Sequence, residues 1–417
     1  MKIKRIFASV FFVVLIFPYL SYAQSSSVYS SIGVGDPEYS FSSMSLGMGQ
    51  TGVALALPDN IGLINPATWF NLQRTRFNLG ISYKGLTIAD NSGSVYNHYA
   101  QIKGFTFGFP ISSVSGISAA IGLVPFTSLN YKLVNNFSLP GSSDNYNITY
   151  TGKGGISRTF IGASYKFPFD LGIGATFDYY FGNLDYKSTS SIVGSSRSLN
   201  QYEDLLTPDG LGATFGVVSP DLSSLLNIKK VSDIRVGLSF NYLGNLRTDS
   251  LITSTSSTST DTVKGGTANL KIPMRIAAGL SFAINNDYLL SLDVISQPWQ
   301  DFSYGGKKSD ELRNALRIGA GMEYHPKEVI GGSFWEQLIW RAGLSYEQTQ
   351  YKVNNTGINR MSVSAGLSVP LSYTNYIDLD FEYAIQGTVS SNLVRENIFT
   401  FNLGINLGQL WFIRQEY

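Results

Sequence analysis

The amino-acid sequence contains no cysteine, and only 14% of its 417 residues are charged. Without cysteine, neither a disulfide nor a lipid-modified cysteine can secure the chain, so a large fold must supply the stability. Soluble proteins carry about 25% charged residues, and the deficit is typical of a surface that partly faces lipid. The 30 basic and 29 acidic residues are nearly balanced, so the basic excess of a nucleic-acid-binding protein is missing.

Histidine is scarce, which argues against catalysis. A hydrolytic triad needs a histidine held by a partner, and the sequence offers only His98 and His325. His98 lies near Tyr96 and Tyr99, as expected for an aromatic girdle, and His325 precedes a proline at a predicted turn. The sequence has no histidine pair at helical spacing and no aspartate-rich calcium loop. We therefore expect no catalytic residue, no metal site and no cofactor, and the protein is predicted not to be an enzyme.

Long apolar runs are also missing after residue 24, where nothing approaches the roughly 18 residues of a membrane-spanning helix. The N-terminus carries a shorter apolar run, Ile6 to Leu20, which follows three basic residues and precedes Ser21-Tyr22-Ala23. Small residues at the −3 and −1 positions predict a cleavable signal peptide over residues 1–23. An exported chain of this composition is expected in the outer membrane of a Gram-negative-type cell.

What the sequence does contain is a repeated alternation of apolar with small or polar residues, from residue 74 to the end. Between residues 77 and 84, Phe, Leu, Ile and Tyr alternate with Asn, Gly, Ser and Lys. Successive strand side chains point to opposite faces, so one face is apolar and the other polar. A soluble sandwich also alternates, but the export signal, the 25 Tyr and the 26 Phe favour a membrane protein. About fourteen runs predict an all-β, antiparallel, up-and-down transmembrane β-barrel over residues 74–417.

The predicted links between strands alternate in length. Brief links are found at 112–114, 168–169, 285–286 and 370–372, and long polar links at 125–156, 185–209 and 250–262. Outer-membrane barrels pair short periplasmic turns with longer outside loops, so both chain ends are predicted to be periplasmic. Two periplasmic links, 219–232 and 326–336, are longer than this rule expects.

Residues 24–73 do not alternate and are predicted to form a hatch that plugs the lumen. A barrel of this width has a lumen that wall side chains cannot fill. Closely spaced glycines let backbone pack tightly in a confined space, and an asparagine before a proline marks a bend. The glycine-rich run lacks the lysine of a phosphate-binding loop. A disordered tail is the alternative, although such tails are usually less apolar. The predicted hatch residues are Gly47, Gly49, Gly52, Asn65, Pro66 and Ala67.

Several charged residues alternate with apolar neighbours on the predicted strands and should face the lumen. One interpretation is a network of charges that seats the hatch and hydrates the interior. The other is a site that contacts ligand, because the guanidinium group of arginine suits a carboxylate. The candidates for both are Arg275, Arg317, Arg341 and Glu323.

The hatch run SLGMGQTGVALALPDNIGLINPATWFNL resembles that of the FadL/TodX family of outer-membrane transporters for hydrophobic compounds. Their plug carries an Asn-Pro-Ala motif, which Asn65, Pro66 and Ala67 match. Four later runs of this sequence also resemble, in order, the later strands of the family: KIPMRIAAGLSF, YLLSLDVISQPW, LRIGAGMEYHP and WRAGLSYEQTQY. PorV-type proteins of type nine secretion have a similar hatch.

The resemblance implies passive uptake of a small hydrophobic or amphipathic ligand, fatty-acid-like or aromatic, by a monomer embedded in outer-membrane lipid. The links 125–156 and 185–209 would capture the ligand, which would pass as the hatch shifts or as a gap opens in the wall. One alternative is a PorV-like role, in which the barrel anchors or docks secretion-system proteins and transports nothing. Another is a purely structural membrane protein, whose lumen the hatch would fill without leaving a pocket. An apolar cavity of ligand size beside Asn65–Ala67 would favour transport.

Overall fold

The computed structural model describes residues 27–39, 42–138, 145–192, 198–223, 230–256, 258–285, 287–326, 333–372 and 374–409. The predicted signal peptide, residues 1–23, lies outside the described residues. Antiparallel strands make up most of the described chain. In these described segments, the structure contains no helix that is both long and apolar enough to cross a membrane.

Fourteen long strands can be followed through the described residues, three of them in two segments. The first seven are β1 Thr75–Ala89, β2 Ser94–Ser112, β3 Ile117–Pro125 continued by Thr127–Ser138, β4 Asn145–Lys166, β5 Gly172–Ile192, β6 Ser198–Val218, and β7 Val231–Leu243 continued by Leu246–Ser256. The others are β8 Thr260–Lys271 continued by Arg275–Ile284, β9 Tyr288–Gln297, β10 Ala315–Tyr324, β11 Ile339–Val353, β12 Thr356–Ser372, β13 Asn375–Gly387 and β14 Arg395–Gln409. The links contain two short strands, Ser303–Tyr304 and Lys307–Lys308, and 3₁₀ turns at Trp299–Asp301, Phe334–Gln337 and Ser390–Asn392.

The fourteen strands form one closed antiparallel barrel. Each strand pairs with the next along the chain, and β14 closes the sheet on β1, from Thr75 opposite Gln409 to Ala89 opposite Arg395. Closure gives backbone N–H and C=O groups the partners that lipid cannot offer. The predicted fourteen-stranded β-barrel is confirmed.

The alternation of the sequence separates an outer apolar face from an inner polar face. On β5, Phe177 is 56% exposed, whereas the next residue, Asp178, is completely buried. On β1, Asn78 and Ser82 are likewise buried. Because an isolated barrel exposes only its outer face and its rims, the exposed aromatic and aliphatic side chains are those that would meet lipid.

The predicted long links are wrong in extent, because most of 125–156, 185–209 and 250–262 is strand. β4 has 22 residues and β5 and β6 have 21 each, about twice the 9–11 that a bilayer requires. A strand beyond the membrane meets water on both faces, so serine, threonine and asparagine replace the apolar alternation while the hydrogen-bonded ladder continues. We name the end where these strands project the loop end, and the end that holds Thr75 and Gln409 the turn end.

The segment before β1 lies against the inner wall all round the barrel. Near the loop end, the backbone N–H of Val28 donates to a Glu396 carboxylate oxygen of β14 at 2.7 Å. A short helix, α1 (Ser43–Gly47), contacts β11 to β14, and the 3₁₀ turn Pro66–Asn71 contacts β3 to β6. We name residues 27–39 the strap and residues 42–73 the hatch body.

The first and last described residues lie toward different ends of the barrel, and the periplasmic location of both chain ends stays a prediction. Ser27 lies at the loop end, where the amide of Gln386 donates to its hydroxyl oxygen. Gln409 pairs with Thr75 at the turn end. The strap therefore runs along the barrel axis before the hatch body reaches β1, because the lumen on the loop-end side also needs filling.

A belt of inward-facing glycines receives the hatch body. A Cβ added at any of them would come within 3.0 Å of a hatch atom, and they are Gly108, Gly172, Gly174, Gly216, Gly237, Gly279, Gly319, Gly321, Gly343 and Gly404. A Cβ at Gly216 would overlap Asn65 Oδ1 and lie 3.1 Å from the backbone nitrogen of Ala67. Gly174, which is directly opposite Gly216 in the ladder, would meet Pro66 in the same way. The bare wall lets hatch backbone approach wall backbone directly.

Gly216→Val should unseat the hatch body. Overpacking of this kind costs about 1–3 kcal/mol, and the clash here is with the buried side chain of Asn65, which is held by its hydrogen bonds to Val53, Ala67 and Val217. Urea unfolding of the barrel in lipid vesicles should show a lower free energy of unfolding, and limited proteolysis should cut the hatch body sooner. Gly52→Ala is the matched control, because no atom lies within 4 Å of the added Cβ. Equal stability of the two variants would contradict close packing of the hatch body on the wall at Gly216.

Candidate functional site

The wall is interrupted between β2 and β3 on the loop-end side. The β2–β3 ladder ends at Phe105 opposite Leu123. Beyond it, Ser94–Gly104 pairs only with β1, and the second segment of β3 pairs with β4 and with the strap. Gly104 lies where the strands part, with a left-handed φ of 102°. We name the gap between Ser94–Gly104 and Thr127–Ser138 the seam.

The strap covers the seam from inside. Its two-residue strand Asp36–Pro37 pairs antiparallel with Ser128 and Thr127, and the N–H of Glu38 donates to the carbonyl of Phe126 at 2.9 Å. These bonds pair backbone N–H and C=O groups of β3 that make no hydrogen bond to β2. The strap, and not β2, therefore provides the backbone partners for β3 at the seam.

The loop-end half of the lumen is an apolar chamber that the strap fills. Tyr29 stacks on Tyr351 with ring centroids 6.1 Å apart, and its hydroxyl donates to the carbonyl of Val394. The hydroxyl of Tyr186 donates to the carbonyl of Gly33 at 2.9 Å. The buried wall residues of this chamber include Leu129, Tyr131, Leu184, Leu246, Leu312 and Leu393. A chamber with this lining suits an apolar occupant.

Tyr39 is held between two of the predicted lumen arginines. The guanidinium carbon of Arg275 lies 4.9 Å from the centroid of the tyrosine ring, and that of Arg317 lies 5.5 Å away. The Tyr39 hydroxyl donates to Glu347 at 2.7 Å. Arg317 also donates to the carbonyl of Gly49 at 2.8 Å. These two arginines thus bind the hatch segment itself, through cation–π contacts and a backbone carbonyl.

Glu38 of the strap lies between two lysines of the wall. Its carboxylate oxygens are 2.5 Å from Lys103 Nζ and 3.4 Å from Lys84 Nζ. Burial alone would raise the pKa of this carboxyl group, but the two ammonium groups outweigh burial and lower the pKa from 4.5 to about 2. Next to it, burial raises the pKa of Asp36, although a hydrogen bond from the Tyr351 hydroxyl acts in the opposite direction.

Two small cavities flank Glu38 and Tyr39, each of about 40 Å³. The first has a mixed lining, which includes Leu63 and Phe126 but also Arg158 and Arg275, and the second is charged, with Lys84 and Lys103. Each has room for a few water molecules. A typical ligand site has about 300 Å³ or more, so these two cavities do not supply the ligand-sized space expected beside Asn65–Ala67.

A larger open groove of about 780 Å³ lies on the outer face at the seam, lined by exposed Ile102 and by Thr127 and Phe181. Pro125 lines both this groove and the first of the two inner cavities. The inner cavity and the lipid-facing surface are thus separated at this point by little more than one residue of β3.

The three predicted hatch glycines differ in their surroundings. Gly47 packs on the wall, where an added Cβ would lie 3.0 Å from Gly366 Cα. Gly49 has a left-handed φ of 65° and lies under a Leu344 carbonyl, so it needs both properties of glycine. Gly52 has open space around it, and its N–H donates to Asp293 at 2.6 Å.

Asn65 ties the hatch body to itself and to the wall. Its side-chain oxygen accepts from the N–H of Ala67 at 3.0 Å and so caps the 3₁₀ turn that begins at Pro66. Its side-chain amide donates to the carbonyls of Val53 at 2.7 Å and Val217 at 3.1 Å. The Asn-Pro-Ala run therefore forms a fully hydrogen-bonded bend against β6.

Arg341 and Glu323 form a buried ion pair that lines neither small cavity. Arg341 Nε lies 2.5 Å from a Glu323 oxygen, and its guanidinium also reaches Asp378 at 3.4 Å. His325, which is half exposed, lies 3.0 Å from the other Glu323 oxygen. The structure therefore brings Arg275 and Arg317 together at Tyr39 and places Arg341 and Glu323 apart from them, near Gly47.

The sequence pattern did not identify Glu38, Tyr39, Lys84 or Lys103 as site residues. Alternation places Lys84 on the polar face of β1, but it does not indicate that this lysine meets a carboxylate. Lys103 lies at a bulge, where the β1–β2 register shifts between Gly80 and Ile81, so its inward direction breaks the simple alternation. The strap residues have no periodic pattern that would indicate their partners.

The fold of this barrel is similar to that of several solved transporter structures. No curated protein sequence is similar to the chain. Among solved structures, the toluene transporter TodX of Pseudomonas putida is similar with a TM-score of 0.59 at 15% identity, covering 91% of this chain and 100% of that one. A FadL homologue of Pseudomonas aeruginosa has a TM-score of 0.58 at 12% identity, covering 87% and 97%. The toluene transporter TbuX of Ralstonia pickettii has 0.55 at 16%, covering 87% and 97%.

At these identities the likeness concerns the fold, which is that of FadL-type barrels. None of these three neighbours is named as an enzyme; two are named as transporters and one as a FadL homologue. At the level of sequence, the profile of one family, described as BamG, matches residues 2–417. The chain thus belongs to the BamG family, and its barrel has the FadL/TodX fold.

Proposed function

We propose that the protein lets small hydrophobic or amphipathic molecules cross the outer membrane passively and catalyses no reaction. The likeness to transporters of FadL type supports this proposal, as do the apolar outer face and the apolar chamber. Residues 1–23 would be removed on export, residues 24–73 would form the hatch, and residues 74–417 would form the barrel. The closed sheet needs no second copy, so the protein would act as a monomer, with its loop end outside and its turn end in the periplasm.

The seam is the observation that carries the proposal. A wall whose strands all pair with one another could open sideways only by breaking a continuous ladder. At the seam, the edge of β3 pairs instead with the two-residue strand of the strap, Asp36–Pro37. Withdrawal of the strap would expose the apolar chamber and the β3 edge together. A ligand that enters at the loop end could then leave through the seam into the surrounding lipid, next to Pro125.

The hatch body would stay in place while the strap moves. The glycine belt, the bend at Asn65-Pro66-Ala67 and the bonds from Gly52 and Val53 to Asp293 hold it to opposite sides of the wall. Gly47 and Gly49 would also let the hatch body pack closely on the wall. In this proposal, Arg317 and the Arg341–Glu323 pair support the hatch, and Arg275 holds Tyr39 at the edge of the chamber.

A disulfide between the strap and β3 tests whether the strap must move. The chain has no cysteine, so Pro37→Cys with Thr127→Cys creates a single pair. Directly opposite residues of antiparallel strands are about 4.5–5.5 Å apart at Cα, which suits a disulfide. In a host without such barrels, oxidation should reduce the uptake of radiolabelled toluene and octanoate to the rate of cells that lack the barrel, and a reductant should restore it.

The matched control is Thr253→Cys with Thr262→Cys, a cross-strand pair of β7 and β8 that leaves the strap free. This pair should take up both probes equally well when oxidised or reduced. Equal uptake by the oxidised and reduced strap variant, with the disulfide verified by mass, would refute transport by strap withdrawal.

Two observations favour a second candidate, a barrel that docks other outer-membrane or secretion-system proteins. β4 to β6 project far beyond the membrane as a continuous sheet, and the two cavities beside Tyr39 are too small for a ligand. In this case the oxidised strap variant would behave as wild type. Shortening the projecting sheet by deletion of 187–203 would instead abolish a stable complex with a protein partner on native gels, without changing the barrel's heat stability.

A further inference from the structure

The strap covers only the first part of the edge that β3 turns toward the seam. Its two-residue strand pairs with β3 as far as Ser128. On the N-terminal side of that strand, Gly33 and Gly35 have left-handed φ values of 73° and 92°. The carbonyl of Gly33 accepts from the hydroxyl of Tyr186, on β5. The strap thus bends away from β3, while β3 itself continues to Ser138.

The contacts of the strap show which backbone groups of β3 face the seam. A Cβ added at Gly35 would overlap the carbonyl oxygen of Ser128, and the carbonyl of Asn130 accepts from the Ser30 hydroxyl at 3.4 Å. Every second residue of a strand turns its N–H and C=O to the same side, and the pairing of residues 129–138 with β4 has no register shift. The backbone groups that face the seam beyond the strap are therefore those of Lys132, Val134 and Asn136.

This part of the edge is open. In the part of the chain that the structure describes, no strand and no backbone hydrogen bond meets these three residues on the seam side. All three are exposed, Val134 by 47%. Natural sheet edges are usually short or carry proline or several charges, because an unpaired edge invites another strand. Residues 129–138 form ten consecutive pairs with β4, contain no proline, and carry a single charge, that of Lys132.

The side chains along the edge indicate what would pair with it. Leu133 packs on the buried cluster of the chamber, so Lys132 and Val134 point to the outer face. Among the described residues, no carboxylate forms an ion pair with Lys132. Cross-strand neighbours of opposite charge and β-branched neighbours stabilise a sheet. An extended peptide supplies the N–H and C=O groups at the repeat of the edge, and the one that fits carries an acidic and a β-branched residue two positions apart.

We propose that the open edge of β3 is a docking site for an extended segment of another protein, which adds as a strand antiparallel to β3 over Lys132–Asn136. The strap already pairs in this way with the same edge, at Asp36–Pro37. The added strand continues that ladder toward the tip of β3 and leaves the strap in place. The inference does not rest on the uptake of a small molecule, and it uses a strand edge and not the projecting face of β4 to β6.

Proline on the two backbone sides of β3 tests the open edge itself. Proline has no N–H, so Val134→Pro removes no hydrogen bond from the barrel, whereas Leu133→Pro removes one from the ladder with β4. Thermal unfolding of the purified full barrel, followed by circular dichroism, should give Val134→Pro the melting temperature of wild type and Leu133→Pro a lower one. An equal loss of stability in both variants would show that the Val134 N–H already has a partner, and the docking site would be refuted.

Peptide binding tests the docking. The probe is the fluorescein-labelled peptide TVTVEVTVT, and its anisotropy is measured with the full barrel in nanodiscs. Val134→Pro should weaken binding about tenfold or more, and Val134→Thr, the matched control that keeps the N–H, should bind as wild type. Lys132→Met should weaken binding about tenfold, as expected for one bond to a charged group. The analogue with glutamine in place of glutamate should not respond to Lys132→Met.

Three outcomes would overturn the inference. If a copy of the peptide with every backbone nitrogen methylated binds as tightly as the probe, the side chains and not a ladder hold it. If Val134→Pro leaves binding unchanged, the edge is not the site. If wild type forms a dimer on native gels that Val134→Pro disrupts, the occupant is a second copy of this chain. The strap disulfide should leave peptide binding unchanged, so the inference and the proposed function can fail separately.

Discussion

The width of the barrel is the constraint on which the rest of the structure depends. A closed sheet of fourteen strands encloses more space than its own inward side chains can fill, so another part of the same chain must enter the lumen. The hatch body can do so because the wall is bare at the glycine belt, where a Cβ at Gly174 or Gly343 would overlap hatch backbone. Backbone packed on backbone needs every polar group paired. Asn65 and Asp293 meet part of that need with bonds to Ala67, Gly52 and Val53.

A second constraint follows from lipid, which offers no hydrogen bonds to an unpaired strand edge. β2 and β3 part after Phe105 and Leu123, and the exposed edge of β3 must find other partners. The strap supplies them at Asp36–Pro37, and Glu38 continues the contact at Phe126. The break in the wall and the filling of the chamber therefore depend on the same thirteen-residue segment. A change that moves the strap necessarily affects both.

The sequence predicted the barrel well because alternation reports directly on which side of a sheet each residue faces. Phe177 and Asp178 are one example of neighbours that follow the alternation, with the first on the outer face and the second in the lumen. The pattern failed where the outer face no longer meets lipid. Beyond the membrane both faces of β4 to β6 meet water, so the alternation is lost and these parts of the strands were predicted as loops. It failed again at Lys103, where a bulge turns the side chain inward. The path of the strap could not be predicted, since its partners, Glu396 and Ser128 among them, are distant in sequence and carry no shared periodicity.

The site was predictable only in part for a related reason. Arg275 and Arg317 were recognised as lumen residues from alternation, but the same pattern cannot say whether an inward arginine meets a ligand or the hatch. The structure gives them Tyr39 and the Gly49 carbonyl, while the cations that meet a carboxylate of the strap are Lys84 and Lys103. The hatch body packs its backbone on the bare glycines of the wall, and the N–H groups of Gly52 and Val53 donate to Asp293. The strap is held instead by apolar side chains, by Glu38 between Lys84 and Lys103, by hydrogen bonds such as that of Tyr39 to Glu347, and by a two-residue ladder. This difference supports the proposed division between a fixed hatch body and a movable strap.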